Sequence, residues 1–139
     1  MIRSIFYVSV STLVLPVEES RVHDIVDWSR RWNADVGVTG ALMFTEKHFA
    51  QVIEGPLPAI AELMGKIRRD PRHTRIDVIL DRSIRHRQFA GWTMAYSGPE
   101  DFIEAQLAPL APDRPAADRA AAAHALIAVM QDLSGLGTV

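Results

Sequence analysis

Cysteine is absent from this chain of 139 residues, and its absence excludes several classes of protein. Without a thiol there is no disulfide scaffold, no thiolate nucleophile, no cysteine-ligated zinc site and no iron–sulfur cluster. The sequence also lacks any apolar run that approaches the roughly 20 residues of a membrane span. It lacks a small-residue cleavage site near its start as well. We therefore expect a cytoplasmic protein that contacts no membrane.

An excess of one charge sign is also lacking, because 15 basic and 17 acidic residues leave a formal net charge of −2. A near-neutral sum gives no reason to expect nucleic acid as a partner. The charges are unevenly distributed, however. Residues 66–87 hold eight Lys or Arg against three Asp, whereas residues 98–139 hold two basic and six acidic residues. We interpret the later arginines of the basic stretch as solvated surface.

Length and composition predict one globular domain, not two, with a sizeable hydrophobic core. The hydrophobic fraction of 48% and the charged fraction of 23% argue against disorder. The last 42 residues differ in composition, since they are rich in alanine and contain four prolines. We place a boundary near residues 98–99, which divides a core module, residues 1–97, from a helical C-terminal extension, residues 98–139.

The apolar pattern predicts the element order βαββαβ followed by one extra strand. The predicted strands cover residues 2–10, 36–44, 49–54, 75–80 and 92–96, the helices 17–32 and 56–69, and the tail helices 99–107 and 115–133. Whether the fourth strand continues as far as residue 87 stays open. This order is that of a ferredoxin-like α+β fold, with an antiparallel or mixed sheet and two helices on one face. The fold alone defines no function, because it hosts enzymes, metal carriers, RNA binders and sensors.

Three amphiprotic side chains interrupt this apolar pattern. Gln51 lies amid large apolar neighbours, and alternation along the strand places it on one face with Phe49 and Ile53. A buried amide without partners costs about 1–3 kcal/mol, so Gln51 needs a partner. Tyr7 can provide one, because the first and third strands are neighbours in the βαββαβ order. Asn33 is the third residue, at the end of the first predicted helix.

Each of these residues also has an ordinary explanation. Gln51 is then an exposed edge residue, Tyr7 a core ring whose hydroxyl contacts water, and Asn33 a helix C-cap. The presence of three such groups on adjacent elements instead favours a polar site on the sheet.

The same residues lie in motifs that resemble those of the BLUF domain, a flavin-binding blue-light sensor. The resemblance covers residues 2–97, in the family's order and with similar spacing. The tail resembles the helical caps of short, stand-alone members, without a motif of its own. The matching motifs are Tyr7-x-Ser9, Asn33-x-x-x-Gly37-Val38-Thr39-Gly40, Phe49-Ala50-Gln51-Val52-Ile53-Glu54-Gly55, Asp70-Pro71-Arg72-His73 and Phe89-x-x-Trp92-Thr93-Met94.

The resemblance implies a photoactive role for Tyr7 and Gln51. Tyr7 matches the tyrosine that gives an electron and then a proton to the excited flavin, and Gln51 matches the glutamine between that tyrosine and the flavin N5/C4=O edge. Rotation or tautomerisation of the amide would exchange its donor and acceptor ends, and both routes stay open. Because the chain has no cysteine, a flavin–thiol adduct is excluded and the photocycle must be non-covalent.

The resemblance also implies which residues hold the cofactor. The implied cofactor is FAD, with FMN and riboflavin open as alternatives. Asn33 pairs with the other side of the flavin edge. The other implied residues are Ile25 and Ile67 around the ring, Ser29 as a weaker contact, Lys66, Arg72 and His73 near the pyrimidine, ribityl chain and phosphate, and Trp92 and Met94 on the last strand.

Two positions depart from the family pattern. Trp32 occupies a position where members often carry a second asparagine. It either covers an open edge of the pocket or forms a surface contact for a partner, and both interpretations stay open. Lys66 stands where members often have arginine, so a bidentate grip on the pyrimidine carbonyl becomes a point contact.

The remaining ionisable residues show no catalytic pattern. The five histidines have no pair at metal-ligand spacing, so we expect no metal site. Glu54 and Asp70 have no partner at catalytic spacing. Because Glu54 is next to the glycine that ends its strand, we expect it to bond backbone amides rather than to act as an acid or base.

Two functions of different classes stay open from the sequence. The first is a photoreceptor, not an enzyme, whose output passes through the tail or through an interface with an unknown protein partner. The second is a light-insensitive ferredoxin-like module that binds a small ligand or a protein. Since no enzyme domain is fused, we expect output through an interface, and we expect a homo-oligomer. The apolar stripe of the last helix favours packing on the chain's own sheet over a partner groove: Leu126, Val129, Met130 and Leu133.

Overall fold

The computed structural model describes residues 1–12, 24, 31–32, 35–89, 92–96 and 100–136. Residues 24, 31–32 and 35–36 are helical, within and just beyond the first predicted helix. The elements with defined bounds are β1 (Ile2–Ser11), β2 (Thr39–Phe44), β3 (His48–Gly55), α1 (Leu57–Arg69), β4 (His73–Ile84), β5 (Trp92–Tyr96), α2 (Glu100–Leu107), a short 3₁₀ helix (Ala108–Leu110) and α3 (Ala116–Leu136).

The five strands form one sheet in the order β4-β1-β3-β2-β5. β1 pairs antiparallel with both β3 and β4, β2 pairs antiparallel with β3, and β5 runs parallel to β2. The first four strands therefore have the ferredoxin-like order, with β5 as the extra strand. The predicted α+β fold with a mixed sheet is confirmed, as is the predicted adjacency of the first and third strands.

Two strands differ in length from their predictions, and backbone conformation explains both differences. β2 begins only at Thr39, because Val36 is still helical and Gly37 has a φ of +75°, a left-handed conformation that ends helices. β4 starts at His73, earlier than predicted, and its end at Ile84 lies within the continuation toward residue 87 that the sequence left open. Arg75 has a φ of +53° at a register shift against β1, and this bulge lets the pairing continue on both sides.

Side-chain alternation gives the sheet a separate hydrophobic core on each face. The α1-side core joins α1 to one face of β1 and β3, and its buried members are Ile5, Tyr7, Val38, Ile53, Ile60, Leu63 and Met64. The tail-side core joins the other face to the tail helices, and its buried members include Phe6, Ala41, Met43, Ala50, Val52, Phe89, Ile103, Leu107, Leu126, Ile127 and Met130. Successive residues of β1 and β3 thus face the two cores alternately.

The tail helices pack on the chain's own sheet, as the apolar stripe predicted. Leu126 and Met130 are buried in the tail-side core and Val129 is packed against it, whereas the side chain of Leu133 lies outside the described residues. Polar contacts add to this packing. Glu104 of α2 accepts a hydrogen bond from the Thr45 hydroxyl at 2.5 Å and lies 3.0 Å from Nδ1 of His48.

A second polar contact connects α3 to the edge strand β4. The guanidinium of Arg119 donates from Nη2 to Asp77 and from Nε to the backbone carbonyl of Leu110 at 3.0 Å.

None of the helices in the described ranges has both the length and the apolar composition that crossing a membrane requires.

Candidate functional site

Tyr7 and Gln51 form a buried hydrogen-bonded pair at the centre of the sheet. They are directly opposite each other in the β1–β3 register, on the face that α1 covers. Only 3% of Tyr7 and 6% of Gln51 is exposed. The Tyr7 hydroxyl donates to Oε1 of Gln51. The predicted hydrogen bond across neighbouring strands is therefore confirmed.

The surroundings of Tyr7 keep its phenol protonated. Burial, the larger cause, and the nearby carboxylate of Asp70 both raise the pKa of Tyr7 well above its usual value. The hydroxyl is therefore a donor throughout the ordinary pH range. Since Gln51 accepts this hydrogen at its oxygen, the donor chemistry of the amide resides in its NH₂ group.

His73 lies next to this pair and is fixed at both ring nitrogens. Nδ1 is 2.6 Å from the Ser9 hydroxyl, and Nε2 is 2.7 Å from the backbone carbonyl of Ile67. A carbonyl can only accept, so Nε2 carries a hydrogen and donates it. The His73 ring centroid is 6.1 Å from that of Tyr7. The imidazole thus connects β1 to the last turn of α1, beside the Tyr7 ring.

Arg72 and Asp70 fix the turn between α1 and β4. The Arg72 side chain donates from Nε and Nη2 to the two carboxylate oxygens of Asp70 at 2.9 and 2.6 Å, and its backbone N–H donates at 3.0 Å. Burial alone raises the pKa of Asp70, but these hydrogen bonds outweigh it and lower the pKa below its usual value. Asp70 is therefore an anion that holds a guanidinium near His73.

The two positions that depart from the family pattern contact each other. The Lys66 ammonium lies 4.4 Å from the centroid of the Trp32 ring, within cation–π range. It is also 3.8 Å from the carboxylate of Glu62, one turn earlier on α1. Trp32 packs against the α1-side core, together with Ile67. The Trp32 indole thus covers part of the face that bears Tyr7, and the Lys66 ammonium contacts its ring.

Only some of the predicted site residues can be located. Tyr7, Gln51, Ile67 and His73 come together on one face, and Lys66 and Arg72 lie at the C-terminal end of α1. Ile25, Ser29 and Asn33 lie outside the described residues, as do the side chains of Trp92 and Met94. The backbone of β5 pairs with β2, so β5 is two strands, or about 10 Å, from the strand that carries Gln51.

Ser9 lies in one of the sequence motifs, but its contact with His73 was not predicted from the sequence. It is 1% exposed and is the β1 contact of His73. The signal was its spacing, because Ser9 is two residues after Tyr7 and alternation places both on the same face. The contact with the carbonyl of Ile67 had no sequence signal, since every residue carries a backbone carbonyl.

The described residues fit the chemistry of a flavin. A flavin is planar, aromatic and amphiprotic, so it needs apolar walls and both donors and acceptors around one edge. The face supplies a buried amide and phenol, the apolar side chain of Ile67, and the cations Lys66 and Arg72 nearby. This combination of donors, acceptors, apolar surface and cations suits a cofactor site. The Ser9 hydroxyl beside His73 is only 1% exposed, so that pair is closed to a substrate.

The fold and this face together define a ligand-binding α+β domain with a buried proton-carrying pair. The chain belongs to the BLUF family, "Sensors of blue-light using FAD", whose family model matches residues 2–95. It is therefore a member of a family of flavin-binding blue-light sensors, and the resemblance seen in the motifs is confirmed.

Relatives and solved structures agree with this assignment. The chain is 33% identical over 92 residues to photoactivated adenylate cyclase subunit beta of Euglena longa, a match that covers 66% of this chain and 11% of the relative. The chain thus spans about a tenth of the length of the curated relatives it matches. The dark-state structure of BlrB, a BLUF protein, is 29% identical with a TM-score of 0.68, covering 99% of this chain and 97% of that one. The photo-activated state of BlsA shares the fold, with a TM-score of 0.73 at 24% identity, covering 91% and 95% of the two chains.

Proposed function

We propose that the Tyr7–Gln51 pair is the photoactive switch of this chain. The observation that carries the proposal is the buried hydrogen bond from the Tyr7 hydroxyl to Oε1 of Gln51. A phenol is a feasible one-electron donor, and its proton already lies in a hydrogen bond to a group that can accept and donate.

The cofactor is a flavin held without a covalent bond, and FAD is the form we propose, with FMN and riboflavin as the alternatives. The residues that would hold it are Tyr7, Gln51, Ile67 and His73 on the described face, with Lys66 and Arg72 toward its phosphate and ribityl end. By resemblance, Ile25, Ser29 and Asn33 complete the set, and Trp92 and Met94 respond to the state of Gln51.

A bound flavin supplies the absorption of blue light and a strong one-electron acceptor. Tyr7 gives up an electron, and the oxidised phenol is far more acidic than the neutral one. The proton on its hydroxyl then moves along the existing hydrogen bond to Oε1 of Gln51. The amide would then exchange its donor and acceptor ends, by rotation or by tautomerisation. Return of the electron and of a proton to Tyr7 would restore the phenol, so that the net change is in the hydrogen bonds that Gln51 offers.

We propose that the output is non-enzymatic and passes through residues 98–139. The packing of α2 and α3 on the sheet supports this, because it connects the tail to β3, the strand that carries Gln51. The relative from Euglena longa is named a cyclase, so output differs between members. For this chain we propose a protein partner, a homo-oligomer and a cytoplasmic location, with neither nucleic acid nor membrane as partner.

Absorption spectra in the dark and after blue light test the proposed switch. The purified full chain should be yellow, and its blue band should shift slightly and reversibly to the red. Release of the chromophore by denaturation, followed by chromatography against FAD, FMN and riboflavin, identifies the flavin. A colourless protein that takes up none of the three would refute flavin binding.

The substitution Gln51→Leu isolates the role of the amide. It should abolish the red shift while the flavin stays bound, because the apolar walls remain. Gln106→Leu makes the same change on α2, away from the Tyr7–Gln51 pair, and should leave the shift intact. A normal shift in Gln51→Leu would show that Gln51 is not the switch.

A further inference from the structure

Glu54 is the only charged side chain that is buried among those the structure describes, with 0% exposure. It accepts two backbone hydrogen bonds at Oε1, from the N–H of Gln88 at 2.7 Å and from that of Phe89 at 2.9 Å. The Ser4 hydroxyl also donates to this carboxylate. The expectation that Glu54 bonds backbone amides is therefore confirmed. These amides belong to the segment that leads into β5.

The side chain of Gln88 adds to the same network. In the amide orientation that satisfies both of its ends, Gln88 donates to Oε2 of Glu54 at 3.0 Å and accepts from Nη2 of Arg82 at 2.8 Å. Among the described residues, each hydrogen bond to the Glu54 carboxylate thus comes from a donor. An ionised carboxylate only accepts, so its chemistry matches this set. Burial, the largest influence, raises the pKa of Glu54, while the hydrogen bonds from Phe89, Gln88 and Ser4 and the positive charge of Arg87 oppose that rise.

Glu54 faces the tail from the strand that carries the proposed switch. It is three residues after Gln51 on β3, so alternation places the two on opposite faces of the sheet. Phe89, whose N–H it accepts, is 2% exposed and belongs to the tail-side core. β3 therefore carries Gln51 on one face and, on the other, Glu54, which is hydrogen-bonded to Phe89 of the tail-side core.

Residues 87–89 form a junction, and they contact several elements besides β3. Arg87 donates to the Thr39 hydroxyl at 2.8 Å and to the carbonyl of Gly37 at 2.7 Å, at the start of β2. The side-chain amide of Gln131 on α3 donates to the backbone carbonyl of Gln88 at 3.2 Å. This junction is thus shared by β2, β3, α3 and the chain that enters β5.

We propose that Glu54 is a positioning residue, whose carboxylate holds the junction against β3 and so connects the strand that carries Gln51 to β5 and to α3. The connection in the light rests on the proposed function. The positioning in the dark does not, because it depends only on contacts within this chain.

Amide hydrogen exchange of the full chain tests the proposal in the dark. Glu54→Leu leaves the N–H groups of Gln88 and Phe89 without their acceptor, and exchange over residues 87–96 should rise by about tenfold or more. Glu54→Gln keeps an oxygen in the same place and should stay within about threefold of the wild type. Glu54→Asp keeps the charge but withdraws the oxygens by one methylene, so it should resemble Glu54→Leu.

This pattern separates positioning from a general structural or electrostatic effect. Slow exchange in Glu54→Gln together with fast exchange in Glu54→Asp is expected only if the position of the acceptor oxygen, rather than the negative charge, holds residues 87–89 in place. Glu104→Leu serves as the matched control, because it removes the carboxylate of another contact between sheet and tail and should leave exchange over residues 87–96 unchanged. Should Glu54→Leu fail to fold, the comparison of Gln with Asp decides alone. Wild-type exchange in Glu54→Asp, or fast exchange in Glu54→Gln, would overturn the proposal.

The same variants test the connection in the light. In the wild type, blue light should alter exchange over residues 116–136. Glu54→Asp should lose this change and retain the red shift, since Tyr7 and Gln51 lie on the other face. If α3 of Glu54→Asp still responds as in the wild type, Glu54 does not connect the two. A wild type without any red shift would refute the proposed function, and the dark comparison would still decide the role of Glu54.

Discussion

Replacement of Tyr7 by Phe tests the buried pair independently of any cofactor. The ring of Phe fills the same volume, so the main change is the loss of the hydroxyl that donates to Oε1 of Gln51. Gln51 is 6% exposed, and a buried acceptor left without its donor costs about 1–3 kcal/mol. An unfolding entropy of about 2.1 cal/mol/K per residue gives about 0.3 kcal/mol/K for a chain of 139 residues. The melting temperature should therefore fall by about 3–10 °C.

The double variant Tyr7→Phe/Gln51→Leu makes this prediction sharper. It removes both partners, and an apolar pair of similar shape leaves no polar group unpaired. The double variant should therefore be more stable than the sum of the single losses predicts, by about 1 kcal/mol or more. Urea unfolding of the flavin-free chains measures all four corners of this cycle. Losses that add to within about 0.5 kcal/mol would falsify the claim that the two side chains are coupled. With flavin bound, Tyr7→Phe should also stop the red shift.

Two further predictions concern the charged groups around α1. Asp70→Asn should lower the free energy of unfolding by roughly 1–3 kcal/mol at pH 7, because the hydrogen bonds from Arg72 favour the anion. Since those bonds lower the pKa of Asp70, the stabilisation is complete above its unfolded value of about 3.9 and is lost as the pH falls below it. The difference between wild type and variant should stay constant from pH 8 to about pH 5 and shrink below about pH 4; a constant difference down to pH 2.5 would contradict the reasoning. Lys66→Met should lower the free energy of unfolding by about 0.5–1 kcal/mol, because the contact with the Trp32 ring is lost. The control Lys47→Met, in the exposed hairpin turn, should change it by less than about 0.5 kcal/mol. Equal losses in the two variants would argue against a stabilising Lys66–Trp32 contact.

Alternation and strand order were sufficient to predict the pairing of Tyr7 with Gln51. Both are properties of sequence, because a period of two assigns faces and the βαββαβ order assigns neighbours. The motifs added the cofactor class, which the family model bears out. The roles of the individual site residues remain predictions.

Other features depend on backbone conformation and could not be read from residue types. The bulge at Arg75, where an arginine adopts a φ of +53°, lets β4 begin before its predicted start. Likewise, the tether between His73 and the carbonyl of Ile67 requires the end of α1 to lie above β1. Such contacts arise from tertiary packing, which residue propensities and sequence spacing do not predict.

The tail-side core has a consequence for how sensors of this type can be rebuilt. Phe6, Met43 and Val52 lie on the face that the tail helices cover, and removal of residues 98–139 would leave that face as an apolar patch open to water. Any shortened or re-engineered version must therefore supply a replacement lid of matching shape. Because the lid and the Tyr7–Gln51 pair occupy opposite sides of one sheet, the lid can be exchanged without altering a single side chain of that pair.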